Sequence, residues 1–574
     1  MNCLTFYNIK WQLLPSMTRL FFFALANLMT CWLAAISAIS APFTNGIVAT
    51  VHPTATQAAL DVLKSGGNAV DAAVAAALTL GVVDTDNSGI GGGCFMLIRR
   101  ADGSFVALDG RETAPESATR DMFIRDGKAD PELSQTGPLA SGVPGALAVY
   151  EYAVRNFGKK QLKDLISPAA DGAERGFVLD ASYASRLKSV SSEMARFESS
   201  RAVFFREGKP LGSGEILRQP DLAKTYRAIA EHGSDWFYRG PFAEATEKWM
   251  KQNGGLLTAA DFQRYRIQLR EPLLSTYRGF MVIGFPPPSS GGVHIAQMLN
   301  ILERFDLKRM DEATRLHVIA ETMKLAFADR AHWLGDPDFA KVPRGLLDKD
   351  YASGLAANIN TGRVTRVASH GSPPNWESDL FKKHTTHFSV ADAQGNWVAC
   401  TATINTSFGS KVVIPGTGVV LNNQMDDFSA QPGVKNFFGL IGGEANAVGP
   451  GKRPLSSMSP TIVLKDFKPF IALGAAGGPK IISQVLLELV EMLDLGRSPA
   501  EAIARPRIHH QWIPDELIVE QNLPAGLQEA LSQKGHKIKA QSGMGVSQII
   551  ALTSDASGFV GAADPRAGGS ASGW

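Results

Sequence analysis

Two alternating runs of strand-forming residues, joined by five turn-forming ones, constrain this chain more than any other feature. Residues 385–392 read TTHFSVAD and residues 397–405 read WVACTATIN, with the turn Asp392-Ala-Gln-Gly-Asn396 closing one onto the other. β-Branched and aromatic residues at period two predict strands, and a short connection bearing Gly and Asn predicts a hairpin. With the turn centred on Gln394, the numbers of facing residues sum to twice 394, or 788. Thr385 then faces Thr403, and opposed side chains share one face of a sheet. Residues 366–384, RVASHGSPPNWESDLFKKH, carry Gly, two prolines and mixed charge, and predict an exposed, mobile loop in front of the first strand.

A strand that starts abruptly at a threonine raises a chemical question. A threonine hydroxyl is a weak nucleophile unless a base removes its proton, and one solution uses the residue's own α-amino group. That amine titrates near 8, about two units below a lysine, so much of it is neutral and basic at pH 7. Thr385 can have a free amine only if the chain is cut between His384 and Thr385. Hairpin geometry alone leaves a blander alternative open, in which Thr385 and Thr386 are ordinary β-branched strand residues.

The rest of the composition is that of a globular protein. The chain has 574 residues, 45% hydrophobic and 20% charged, and its net charge of +2 gives no support for nucleic-acid binding. Length alone allows two to four domains. Residues 20–41, LFFFALANLMTCWLAAISAISA, follow Arg19 and end in small residues, which predicts an export signal at 1–40 cleaved near Ser40–Ala41. The competing reading is a retained anchor, the only way this chain would contact a membrane. Both put the body outside the cytoplasm. Of four cysteines, Cys3 and Cys31 fall in or before that leader, so Cys94 and Cys400 make no disulfide framework.

Residues 53–83 predict a helical pair, the second helix Ala-rich, apolar on nearly all sides and therefore buried. Gly89-Ile-Gly-Gly-Gly93 precedes a short strand, FMLI. It lacks the spacing of a nucleotide-binding loop and predicts a tight loop where backbone approaches backbone or ligand. Residues 140–340 read as mainly helical, with loops at Pro144-Gly145 and Pro286–Gly292. Beyond 384 the runs THFSVAD, WVACTATIN, GVVLNN, PTIVLKD and FIALGAA read as short strands. His509-His510 would point to opposite faces of a strand, with no third ligand evident, and are read as structural. No metal or other cofactor is expected.

The hairpin, together with LNNQMDDFSA (421–430), GPGKRPLSSMSPT (449–461), GAAGG (474–478), RIHHQW (507–512) and ADPR (563–566), resembles the γ-glutamyltranspeptidase (glutathione hydrolase) family. Upstream, GGNAVDAAVAAAL, SGIGGG, LDGRETAP, LASGVPG and PPPSSGG extend the likeness over residues 43–574. The resemblance implies an α+β fold, the four-layer α/β/β/α sandwich of N-terminal-nucleophile hydrolases with two central, mainly antiparallel sheets. It also implies autocleavage between His384 and Thr385 into a large subunit (41–384) and a small one (385–574) that stay together as a heterodimer. Thr385 would be the nucleophile, Thr403 its hydrogen-bond partner, and the amides of Gly477 and Gly478 the oxyanion donors. Arg111, Ser456 and Ser457 would hold the substrate carboxylate, and Asn405, Gln424 and Asp427 its ammonium. The implied donors are glutathione and other γ-glutamyl compounds, and the acceptors water, amino acids or dipeptides. A related acylase acting on cephalosporins or poly-γ-glutamate is the alternative.

Two departures stand out. Residues 430–443, AQPGVKNFFGLIGG, match a lid loop in which some members carry a hydrogen-bonding tyrosine; here Phe438 stands and cannot donate, which predicts weaker closure. The segment VVDTDNSGIGGG stands where members often have a Glu-Pro start, and no effect is assigned to that change.

Overall fold

A computed structural model of the chain describes residues 42–381 and 390–574. The leader 1–40, His384 and Thr385 lie outside the described residues, as does the first half of the predicted hairpin strand. Among the described residues no helix is long and apolar enough to cross a membrane.

The predicted helical pair forms as α1 (Pro53–Lys64) and α2 (Ala69–Val83). Asn68 starts α2 with a capping box. Its side chain accepts from the amides of Val70 and Asp71, and the Asp71 carboxylate accepts from the Asn68 amide at 2.9 Å. Every residue of α2 except Leu80 is buried, as an Ala-rich helix without a polar face requires. The hairpin turn locks onto this helix. Asp392 accepts from the Gln394 and Asn396 amides, and its other oxygen takes the Ala69 amide at 3.0 Å.

Two antiparallel sheets form the centre. The first has seven strands in the order β4–β3–β2–β8–β7–β1–β16. These are β1 (Gly46–Thr50), β2 (Gly93–Arg99), β3 (Phe105–Gly110), β4 (Gln268–Arg270), β7 (Val390–Asp392), β8 (Trp397–Thr403) and β16 (Ser570–Gly573). The second has six, β5–β6–β9–β10–β14–β15, which are β5 (Leu273–Tyr277), β6 (Phe280–Gly284), β9 (Thr461–Lys465), β10 (Lys468–Ala476), β14 (Val546–Leu552) and β15 (Phe559–Ala563). A smaller sheet joins β11 (Ile508–His509), β12 (Leu517–Glu520) and β13 (Ile538–Gln541). Both large sheets mix strands from before and after residue 385, so that position is no domain boundary.

The layers follow from side-chain alternation. One face of the first sheet (Val48, Cys94, Met96, Ile98, Val398) packs on α2, α3 (Ala146–Phe157) and α4 (Leu162–Arg175). Its other face (Ile47, Phe95, Leu97, Trp397, Ala399) meets the second sheet. The far side of that sheet is covered by α5 (Gly291–Leu302), α6 (Glu312–Trp333) and α7 (Lys480–Leu493). The expected four-layer α/β/β/α sandwich is therefore the fold.

The hairpin register agrees with the turn-centred reading over its described part: Val390 faces Val398 and Ala391 faces Trp397, each pair summing to 788. Residues 140–340 are mainly helical, as expected, with β4, β5 and β6 among them supplying strands to both large sheets. Two expectations need correction. GVVLNN makes no strand; Val420 forms one isolated bridge to Val413, because the chain turns back at Ile414–Val419. The second hairpin strand ends at Thr403, not Asn405, whose φ of 80° breaks the ladder. The glycine cluster is the close-packing loop expected: a Cβ on Gly92 would sit 2.0 Å from the Thr403 carbonyl oxygen.

Candidate active site

Thr403, Arg111, Asn405, Gln424, Asp427, Ser456, Ser457, Gly477 and Gly478 all line one cavity of about 1150 Å³. They come from segments more than 360 residues apart, so only the fold assembles them.

Thr403 ends β8. Its Oγ1 accepts from the Asn405 amide at 2.8 Å, and its own proton has no acceptor among the described residues. It is therefore set up to donate. Asn405 in turn donates its side-chain amide to the Asn423 carbonyl at 3.0 Å.

Arg111 follows β3 and is fully buried. It donates to Asp427 at 2.5 Å and, through Nε, to the Pro454 carbonyl at 3.0 Å. Its Nη1 has no hydrogen-bond partner and lies 3.6 Å from Glu112. Gln424 donates to Asp427 at 3.2 Å, while its Oε1 is sealed and unpartnered. Both atoms are closed off from solvent, and Arg111 Nη1 is balanced by the Glu112 carboxylate. The cavity lining as a whole combines the donors of Arg111, Ser456 and Ser457 with the acceptors of Asn405, Gln424 and Asp427, a set that suits a ligand with both a carboxylate and an ammonium. Glu112 carries no hydrogen bond on either oxygen, and burial pushes its carboxyl up to about 8 against the pull of Arg111.

Ser456 and Ser457 lie on the loop before β9. The Ser456 carbonyl accepts from the amide and hydroxyl of Ser290, both at 2.7 Å. Behind them stands Arg330 of α6, which sequence reasoning missed. It donates to Ser457 Oγ at 3.1 Å and to Ser290 Oγ at 2.9 Å, and burial lowers its guanidinium to about 10 while Asp427 opposes that drop. Nothing local in the sequence of α6, which carries Arg315, Glu321, Lys324 and Asp329 as well, sets it apart. Asp426, beside Asp427, is no solvated turn residue: it accepts from Ser134 Oγ at 2.6 Å and from the Phe437 amide at 2.9 Å.

Gly477 and Gly478 form the turn between β10 and α7, at φ values of 136° and 61°. Neither amide donates a hydrogen bond among the described residues, and both glycines line the cavity that Thr403 lines. The lid covers this turn, and a Cβ on Gly478 would sit 2.5 Å from the Phe438 ring. Phe438 adds no hydroxyl, but the lid backbone is anchored otherwise. Asp426 takes the Phe437 amide, and Gln511 donates to the Gly439 carbonyl at 2.9 Å.

His509 and His510 lie outside this site, both buried. His509 bonds Ser483 Oγ and Gln511 Oε1, and His510 bonds Asp515.

Two stacked antiparallel sheets between helical layers, with a cavity at the end of the hairpin strand, define the fold of the N-terminal-nucleophile hydrolases. Within that class the chain belongs to the gamma-glutamyltranspeptidase family, which matches residues 55–574. It is 47% identical over 528 residues to the glutathione hydrolase proenzyme of Escherichia coli (strain K12), covering 91% of this chain and 90% of that one. It is 38% identical over 539 residues to the acylase ACY 1 proenzyme of Pseudomonas sp. (strain SE83), covering 91% and 92%. A cephalosporin acylase from Bacillus halodurans has a crystal structure with a TM-score of 0.83 at 30% identity, covering 93% of this chain and 96% of that one.

Proposed function

We propose that the protein is an autoprocessed γ-glutamyl hydrolase and transferase acting on glutathione and related γ-glutamyl amides. The observation that carries this reading is the convergence of Arg111, Asn405, Gln424, Asp427, Ser456 and Ser457 on the cavity that Thr403, Gly477 and Gly478 also line.

Maturation begins when Thr385 Oγ attacks the His384 carbonyl. The peptide bond is exchanged for an ester, and water splits the ester to leave two chains, 41–384 and 385–574. The freed α-amine of Thr385 then serves as base. In turnover it takes the Oγ proton as the oxygen attacks the γ-glutamyl carbonyl. Gly477 and Gly478 amides receive the developing oxyanion, where one such donor is typically worth about 3–4 kcal/mol. The proton passes to the departing amine as the amide bond breaks. Water or an acceptor amine then attacks the acyl-enzyme and restores the threonine.

The head group explains the remaining residues. Arg111, Ser456 and Ser457 would bind its carboxylate, with Arg330 holding Ser457 in place. Asn405, Gln424 and Asp427 would bind its ammonium. A free amino-acid head group needs both sets, which favours γ-glutamyl amides over the cephalosporin side chains suggested by the acylase relatives. The leader at 1–40 supports export, with the two subunits acting as one heterodimer outside the cytoplasm.

The test is a denaturing gel with N-terminal sequencing of the purified protein. The wild type should give two bands, the smaller starting at Thr385, and Thr385→Ala one uncut band without activity. A mutant that still splits and still releases γ-glutamyl amides would remove Thr385 from both roles.

A further inference from the structure

Away from the cavity, His317, Glu321 and His536 bring three ligand atoms within 4.8 Å of one another, and all three residues are buried. We propose that this cluster is a divalent-metal site that staples helix α6 to the chain on both sides of residue 385.

The geometry comes from two directions. His317 and Glu321 are one helical turn apart on α6, so their side chains share a face. His536 arrives from the turn before β13, more than two hundred residues later in the sequence. His317 Nε2 donates to the Asn360 carbonyl at 2.7 Å, which fixes the tautomer and aims the Nδ1 lone pair into the cluster. A backbone carbonyl on the outer ring nitrogen is the usual orienting contact of a metal-bound histidine.

Without an ion, His536 Nε2–H donates to His317 Nδ1 at 2.8 Å. Moving that proton to the other nitrogen of His536 frees a second lone pair with no change of charge. At metal–nitrogen bonds of about 2.0–2.1 Å, two nitrogens this close subtend about 85°, the angle of adjacent positions in a five- or six-coordinate ion. Glu321 is held in place through Oε2, which takes the Thr365 amide at 2.7 Å. Its Oε1 accepts no hydrogen bond and is balanced only by the Lys324 ammonium 2.7 Å away. When an ion takes that oxygen, Lys324 keeps the Thr365 carbonyl at 3.0 Å and Asp515 at 3.6 Å. The donor set is two imidazoles and one carboxylate, which selects Zn²⁺, Co²⁺ or Ni²⁺ over Mg²⁺ or Ca²⁺.

Asn360 and Thr365 belong to the segment that leads toward His384, whereas His536 belongs to the part after Thr385. An ion here would tie together the two chains that cleavage creates, far from the reacting atoms.

The test uses tag-free, full-length protein stripped with a chelator. Titration with Co²⁺ should give one saturable equivalent with visible d–d bands, displaced by Zn²⁺, and Zn²⁺ should raise the thermal midpoint. The double variant His317→Gln/His536→Gln can keep a side-chain hydrogen bond between the two positions while losing both nitrogen ligands. Its affinity should fall by about 100-fold or more, with the circular dichroism spectrum unchanged. If that variant does not fold, His536→Gln alone should show at least about a tenfold loss. No saturable binding up to millimolar Co²⁺, or unaltered affinity in a folded histidine variant, would overturn the site.

Discussion

Replacing Thr403 by valine probes the predicted nucleophile's partner with almost no change of shape. In the structure its Oγ1 is committed as acceptor to the Asn405 amide, and its proton is free to donate. Valine removes both interactions. A hydrogen bond to a charged group is worth about 1.5–3 kcal/mol, so loss of donation to the Thr385 oxygen should slow turnover roughly 10- to 150-fold. The Asn405 amide, in a chain segment with φ of 80°, also loses its acceptor. That half-buried hydrogen bond is worth about 0.5–1.5 kcal/mol, so its loss should lower the thermal midpoint by about a degree. Serine keeps the hydroxyl and should restore most of both losses. The assay is kcat/KM for hydrolysis of a γ-glutamyl amide, with the processed fraction read from a gel and stability from thermal unfolding. Full processing with a rate within about threefold of wild type in Thr403→Val would refute the contact. So would a serine variant as slow as the valine one.

Arg111→Lys keeps a charge but loses the fork that reaches both Asp427 and the Pro454 carbonyl; we expect KM to rise at least about tenfold with cleavage intact, and equal loss of both would make the arginine structural. Gly478→Ala places a methyl 2.5 Å from the Phe438 ring at a φ of 61°, so it should displace the lid and the turn and lower kcat by up to about 100-fold if the amide is turned away, while an unchanged kcat would mean that lid and turn accommodate the methyl without moving that amide. Glu112 titrates about 8 when folded against 4.5 in the free carboxyl, so its stabilising share is complete below pH 4.5 and lost as pH rises through 8. In the uncut Thr385→Ala background, Glu112→Gln should therefore flatten the fall in unfolding free energy between pH 5 and 8, by an amount on the order of a few kcal/mol; parallel curves would mean that Glu112 is ionised throughout.

The legible parts of this fold were local. The α1–α2 pair announces itself through Gly66-Gly67 and the Asn68 cap, and the β7–β8 turn through Gly395 and Asn396. The three strands β4–β6 were not legible, because each is three to five residues long and the run of three is set between helices, so no period can establish itself. GVVLNN misled in the opposite sense: its β-branched residues are buried in a tight reversal, where Val420 makes one isolated bridge to Val413 and no strand extends from it. Arg330 was invisible since a buried arginine in a helix carries no local mark, and its meaning depends on Ser290 and Ser457, forty and more than a hundred residues away.

The order of residues alone determined the hairpin turn and the pairing of Val390 and Ala391 with Val398 and Trp397, because turn chemistry and alternation act between neighbours a few positions apart. What only the tertiary structure decided is which polar groups go without partners. Arg111 Nη1, Gln424 Oε1 and Glu321 Oε1 lose their water and find no hydrogen-bond partner only once distant segments have packed over them. The physical reason is that burial and hydrogen-bond satisfaction are properties of contacts between distant segments, and no single stretch of sequence carries them.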